Sequence, residues 1–227
     1  AVERTLASVD TRYAYYPGSA ARHAEFVTDH PEAAQLGQPA AGELPWTLIR
    51  DVDPRDRDDI AFRREAWCGL AAETALSAES IPAYIERAVR FANDVLWGSL
   101  CATLIVHPAS LKDPQIAAAV EQAIADLAYG TVSVNAFVFY SAYLATTPWG
   151  GYPGHTIRDI QSGIGKSYNF LLFDRPQKSV LRSPFQRLDP ITVKAKRPQR
   201  FAKRLAYYEY EPSVGKLPGL LWAALRS

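Results

Sequence analysis

Residues Ala128–Phe173 read AYGTVSVNAFVFYSAYLATTPWGGYPGHTIRDIQSGIGKSYNFLLF. Gly130 stands where a helix must end, because a residue without a Cβ turns the chain out of helical geometry with least strain. Thr131-Val-Ser-Val134 is a short β-rich run and predicts a strand. Phe137 to Tyr143 is an aromatic loop, and two glycine clusters follow, Pro148-Trp-Gly-Gly151 and Ser162-Gly-Ile-Gly165. The skeleton is therefore G-x-V-x-V-N, an aromatic loop, P-W-G-G and S-G-I-G.

Upstream, the chain alternates between two periods. Asp113 is placed to cap a helix with Pro114 at its first position, and Ile116, Val120, Ile124 and Leu127 make its buried stripe. Gly130 follows as the residue just past its end. Cys101–Val106, CATLIV, is an apolar run of strand length. Before it, Ser80 caps a helix with Ile81, Tyr84, Ile85, Ala88, Val89, Ala92 and Val95 at helical spacing. Cys68–Leu76 reads as a buried strand. Strand, helix, strand, helix, strand is the signature of an α/β fold, a parallel sheet with crossover helices.

The N-terminal part is plainer. Residues 1–9 predict a short helix on Val2, Leu6 and Val9, and Ser19 is placed to cap a helix running to about His30. Trp46–Ile49 is strand-like. Residues 51–64 interleave acids with arginines, which points to a solvated turn and away from a metal site. Lys178–Arg182 predicts one more strand.

The glycine skeleton resembles the C-terminal part of the aldehyde dehydrogenase catalytic domain, where G-x-V-x-V-N, P-F-G-G and S-G-x-G follow in that order. The resemblance extends over residues 45–182. Phe91–Gly98 with Leu100–Thr103 is similar to the family's A-N-x-x-x-Y-G-L-x-A segment, and Glu65-Ala-Trp67 stands where the family has E-x-F-G-P-V. It implies an aldehyde dehydrogenase-like fragment, residues 1–177, followed by an oligomerisation strand and a C-terminal extension over 178–227. It implies a parent that oxidises an aldehyde to an acid with NAD or NADP. Glu65 and Trp67 would then be cofactor contacts, and Phe137, Phe139, Tyr140 and Trp149 would line the aldehyde's tunnel. The nucleophilic cysteine, the general base and the dinucleotide-binding half lie upstream in the family, so this chain is expected to be inactive alone and to assemble as a homo-oligomer.

Each residue also has a plainer account. Glu65 can be a surface acid beside Arg63 and Arg64. The four aromatics can be core. Cys101 and Cys68 lie in apolar runs, where cysteine is usually an inert small hydrophobe. His155 invites an acid or base role but stands alone in its loop. The glycines do not open a helix in the dinucleotide pattern, and tight turns suit them better than a phosphate cradle. The chain departs from the family in several places. Ten residues, YPGHTIRDIQ, separate its glycine clusters where the family has a short turn. Lys166–Asn169 replaces R-E-x-G, removing a glutamate. The missing glutamate, together with Cys68-Gly69 where E-x-F-G-P-V has Gly-Pro, favours the alternative, a non-catalytic scaffold or assembly module that keeps the fold.

Bulk composition sets outer bounds. The 227 residues are 48% apolar and 22% charged with a net charge of +1, which argues for an ordinary globular chain and against nucleic acid. The two cysteines are too few and too isolated for a disulfide framework or a zinc site. There is no methionine where roughly five would be usual, so a piece of a longer protein is expected. No secretory signal opens the chain, so a cytoplasmic location is expected. In the tail, Lys194, Lys196, Arg197, Arg200, Lys203 and Arg204 precede an apolar run, Leu217–Leu225. That pairing suits either packing within the protein or an anionic membrane surface, the former being preferred.

Overall fold

The structure, a computed structural model, describes residues 2–144, 146–185 and 198–225. In chain order the helices are α1 (Val2–Leu6), α2 (Ser19–Asp29), α3 (Ile60–Arg63), α4 (Ile81–Asp94), α5 (Pro114–Asp126), α6 (Tyr140–Tyr143), α7 (Pro198–Tyr210) and α8 (Leu217–Leu225). The strands are β1 (Arg12–Tyr13), β2 (Ala34–Leu36), β3 (Glu43–Leu44), β4 (Trp46–Ile49), β5 (Leu70–Ala72), β6 (Cys101–Leu104), β7 (Thr131–Val134), β8 (Trp149–Gly150), β9 (Lys166–Tyr168) and β10 (Ser179–Arg182). Residues 11–186 form one compact unit, and residues 1–10 with 187–227 form another.

The larger unit is α/β. Its parallel sheet runs β10-β7-β6, with β7 in the centre and buried at every position. The β6–α5–β7 crossover is built as its sequence dictates. The Asp113 carboxylate accepts from the Gln115 and Ile116 N–H groups at 2.8 and 3.4 Å, opening α5. Ile116, Val120, Ile124 and Leu127 then face Val132 and Val134 of β7 and Val89 of α4 in one core cluster. At the other end of α5 the Lys178 ammonium donates to the carbonyls of Ile124, Ala125 and Leu127 at 3.0, 2.7 and 2.5 Å. A cation there satisfies orphan carbonyls and opposes the helix dipole. Gly130 is not the helix terminator: α5 closes on Leu127.

A second sheet runs β2-β4-β5, with β2 antiparallel and β5 parallel to β4. Its cluster holds Phe26, Ile49, Val52, Phe62 and Val95. The two sheets are separate, so β5 and β6 are not neighbours as the alternating pattern suggests. Strand β5 is also shorter and more open than Cys68–Leu76 implies, with Ala71 and Ala72 exposed. It is an edge strand, and alanine has little surface to bury. Strand β6 is an edge strand too, which leaves Cys101 half-buried and Ile105 exposed.

Helix α2 begins at Ser19, with Gly18 in the cap position. The Ser19 hydroxyl instead lies 2.6 Å from the Tyr16 carbonyl and 3.1 Å from that of Trp67. Strand β10 pairs with β7 over its whole length, and its Arg182 makes a two-pronged ion pair with Glu121 of α5 at 2.7 Å.

In the smaller unit α7 and α8 are joined through a 3₁₀ turn at Val214–Lys216, and Ala223 is buried. Lys194, Lys196 and Arg197 lie outside the described residues; Arg200, Lys203 and Arg204 are on α7. Among the described residues no helix is long and apolar enough to cross a membrane.

Candidate functional site

Glu65 and Trp67 sit where the chain leaves α3 and turns toward β5, and both line a cleft of about 440 Å³. Tyr13, Tyr15, Tyr16 and Trp46 form its other aromatic walls, and Arg12 and Cys68 reach it as well. Trp67 has a φ of 54°. For a bulky L-residue this left-handed conformation costs roughly 1–2 kcal/mol. Its surroundings hold it there: Ser19 reaches its carbonyl, and the Tyr16 ring meets its indole edge-on at 4.9 Å. Glu65 is fixed through its backbone, whose carbonyl accepts from Arg22 at 3.2 Å. Among the described residues its carboxylate has no hydrogen bond or ion pair, so it stands in the cleft as a free acceptor.

Neither cysteine is activated. Burial pushes the Cys68 thiol up, only partly offset by the Arg22 charge. Burial also raises Cys101, and the Glu65 carboxylate adds to that rise. Both are thiols at neutral pH and poor nucleophiles. The same neighbourhood pushes the Tyr129 phenol up to about 12, chiefly by burial and then by Cys101, while its hydroxyl donates to the Ala92 carbonyl at 3.0 Å.

Phe137, Phe139, Tyr140 and Trp149 come together in a second place. Phe137 lies 5.4 Å from Phe139 and 5.7 Å from Tyr140, and Phe139 lies 5.5 Å from Trp149, centroid to centroid. Trp149 is buried, whereas Phe137, Phe139 and Tyr140 are 58%, 44% and 45% exposed. One aromatic anchors the group from the core and three present an apolar face outward.

The glycine clusters are packing devices. A side chain at Gly130 would collide with the Gly150 carbonyl, and one at Gly151 would lie 2.6 Å from the Gly163 carbonyl. Three separated segments thus meet backbone to backbone. Lys166 secures them, donating to the carbonyls of Gly151 and Gln177 at 2.9 and 3.1 Å, and burial draws its pKa down. His155 is likewise engaged: its Nε2 is 2.9 Å from Ser99 Oγ. That distance suits a base and a nucleophile. Ser99 is buried, however, and its backbone N–H and carbonyl are bonded to Ser162 and Tyr152, so the pair fastens the ten-residue insertion to the start of β6. Among the described residues no group of His, Cys, Asp or Glu is placed to hold a metal ion.

Arg12, Tyr13, Tyr16 and Trp46 were not legible as cleft residues. The available signal was the run Tyr13-Ala-Tyr-Tyr16, a dense aromatic stretch outside any periodic element.

No protein-family model matches the chain, and no curated protein matches it. Among solved structures the chain is similar to a mutant of the aldehyde dehydrogenase from Bacillus cereus, with a TM-score of 0.46 and 20% identity over 68% of this chain. The match covers 28% of that enzyme's chain. A likeness of this degree says nothing about activity.

Proposed function

We propose that this chain is the C-terminal part of a divergent aldehyde dehydrogenase-like oxidoreductase, whose parent converts an aldehyde to a carboxylic acid with NAD or NADP. The observation that carries the reading is the unpaired Glu65 carboxylate in an aromatic cleft beside Trp67. An ionised carboxylate only accepts hydrogen bonds, which suits the two hydroxyls of a ribose, and indole and phenol faces suit a flat ring. The residues present therefore fit the nicotinamide end of a dinucleotide. When bound, that group takes up the hydride. Glu65 orients the sugar and Trp67 walls the ring.

The exposed face of Phe137, Phe139 and Tyr140 gives an apolar aldehyde a surface, with Trp149 fixing it from behind. With both thiols protonated, this chain brings no activated nucleophile, so the reacting cysteine and the base come from the rest of the parent. Residues up to 177 serve the site. Residues 178–227 supply the strand β10, whose outer edge has no strand partner among the described residues and suits a second subunit.

The test is NAD(P)H formation by the parent with a panel of aliphatic and aromatic aldehydes. Losing hydrogen bonds to a charged acceptor, Glu65→Gln raises the KM for cofactor about tenfold or more. Absence of turnover with every aldehyde, together with absence of cofactor binding, sinks the proposal. The second reading, a scaffold that retains the fold, is favoured by Lys166: it stands where the family has arginine and is committed to backbone carbonyls. An inactive parent that still oligomerises would be that scaffold.

A further inference from the structure

We propose that the cavity between α7 and α8 binds a multiply charged phosphate group. The cavity measures about 620 Å³ and is lined by Arg200, Lys203, Arg204, Tyr207, Lys216 and Gly219. Four of these side chains are cationic and none is acidic. Among the described residues Arg200, Lys203 and Arg204 have no acidic partner. Lys203 lies over the Tyr207 ring at 6.0 Å, and the Arg204 guanidinium rests against Gly219, where a side chain would displace it.

Like charges gathered around an open space repel one another, so the arrangement gains stability from an anion that neutralises it. Guanidinium groups match phosphate oxygens in fork geometry, and a lysine adds a point charge. The site also borders the first turn of α8, through Gly219, where a helix favours negative charge. One acid stands nearby: Glu211 accepts from Lys216 at 2.8 Å, both at its carboxylate and at its backbone carbonyl. That pairing partly quenches Lys216 and leaves the other three cations free.

A phosphate of this kind can belong to a soluble phosphate ester or to a lipid headgroup. The second source has a structural argument of its own, since Leu221 and Trp222 of α8 are 62% and 58% exposed. The experiment separates the two. Pyrophosphate is titrated into the full chain by calorimetry at physiological salt, and flotation is measured with phosphatidylcholine vesicles with and without phosphatidic acid, whose phosphomonoester can carry two charges. Saturable pyrophosphate binding without flotation assigns a soluble ester. Flotation only with the anionic vesicles, reversed by pyrophosphate, assigns a headgroup.

Two variants bear on the site. Arg200→Gln with Arg204→Gln weakens pyrophosphate binding about tenfold or more, as expected for two charge-assisted contacts. Glu211→Gln releases Lys216 and tightens binding roughly twofold to fivefold, the range of a surface ion pair. A gain cannot come from unfolding. The proposal is overturned if pyrophosphate does not bind, if anionic vesicles bind in a way pyrophosphate does not compete with, or if both variants leave the affinity unchanged.

Discussion

The Gly150 carbonyl occupies the space in which a side chain at Gly130 would stand. The obstructing atom is backbone, held in place by the pairing of β8 with β9 and by Lys166, so it cannot swing aside as a side chain would. Gly130→Ala therefore destabilises the fold by about 3 kcal/mol, the upper range for overpacking. Urea unfolding of the purified chain measures this, and a loss under about 0.5 kcal/mol contradicts the packing argument.

Asn135 ends β7 with a φ of 55° and bonds both backbone groups of Val106: Oδ1 accepts from the N–H at 2.8 Å and Nδ2 donates to the carbonyl at 3.0 Å. Asn135→Ala loses both bonds and leaves an alanine in left-handed geometry, a cost of about 2–3 kcal/mol. Asn135→Gly keeps the backbone free to adopt that φ and loses only the bonds. The glycine variant should fall between wild type and alanine in thermal melts.

His23 is buried beside Thr47, its Nε2 2.8 Å from Oγ1, and desolvation lowers its pKa. The unfolded state thus binds the proton more readily than the folded state. Stability from this group is complete above the unfolded value of about 6.5 and is lost as pH falls through that value toward the lower folded one. The chain unfolds at lower urea at pH 5.5 than at pH 8, and His23→Gln flattens the difference.

Burial raises both thiols, which predicts slow alkylation of Cys68 and Cys101 at pH 7 and a rate that climbs steeply above pH 9. Unfolding in urea speeds the reaction at pH 7, because solvent exposure removes the burial that holds both thiols in the protonated form. Mass spectrometry of iodoacetamide-treated chain reports each site. Rapid labelling of the folded chain at either one would mean an activated cysteine after all.

Trp67 separates stability from function. Trp67→Gly relieves the left-handed strain and removes the cleft wall, so folding stability changes by no more than about 1 kcal/mol while nicotinamide dinucleotide binding by the parent is lost. Binding that survives the substitution would remove Trp67 from the site.

Helix α5 was legible from its N-terminal cap through its buried stripe, but not at its C-terminal end. Asp113, Pro114 and the stripe Ile116, Val120, Ile124 and Leu127 lie within one segment, and capping and periodicity act over one to four residues. The same holds for Ser80 opening α4 and for β7. Burial was less legible. Cys68–Leu76 and Cys101–Val106 have the composition of interior strands, yet both make edge strands, because position in a sheet depends on which partner pairs with them.

At the candidate site, Glu65 and Trp67 stood out only through resemblance, and the Tyr13–Tyr16 run had no assigned place. Only the folded chain brings Tyr16 across some fifty residues of sequence onto Trp67, and Tyr13 to the same cleft. From sequence alone the α/β class, the ends of α4 and the N-terminal end of α5 could be read. The tertiary structure alone decided that the strands divide into two sheets, that Lys178 closes α5, and that Gly130 yields to the Gly150 carbonyl. Local preferences act between neighbours in the chain. These contacts join residues 20 to more than 50 positions apart, and only chain packing brings them within reach.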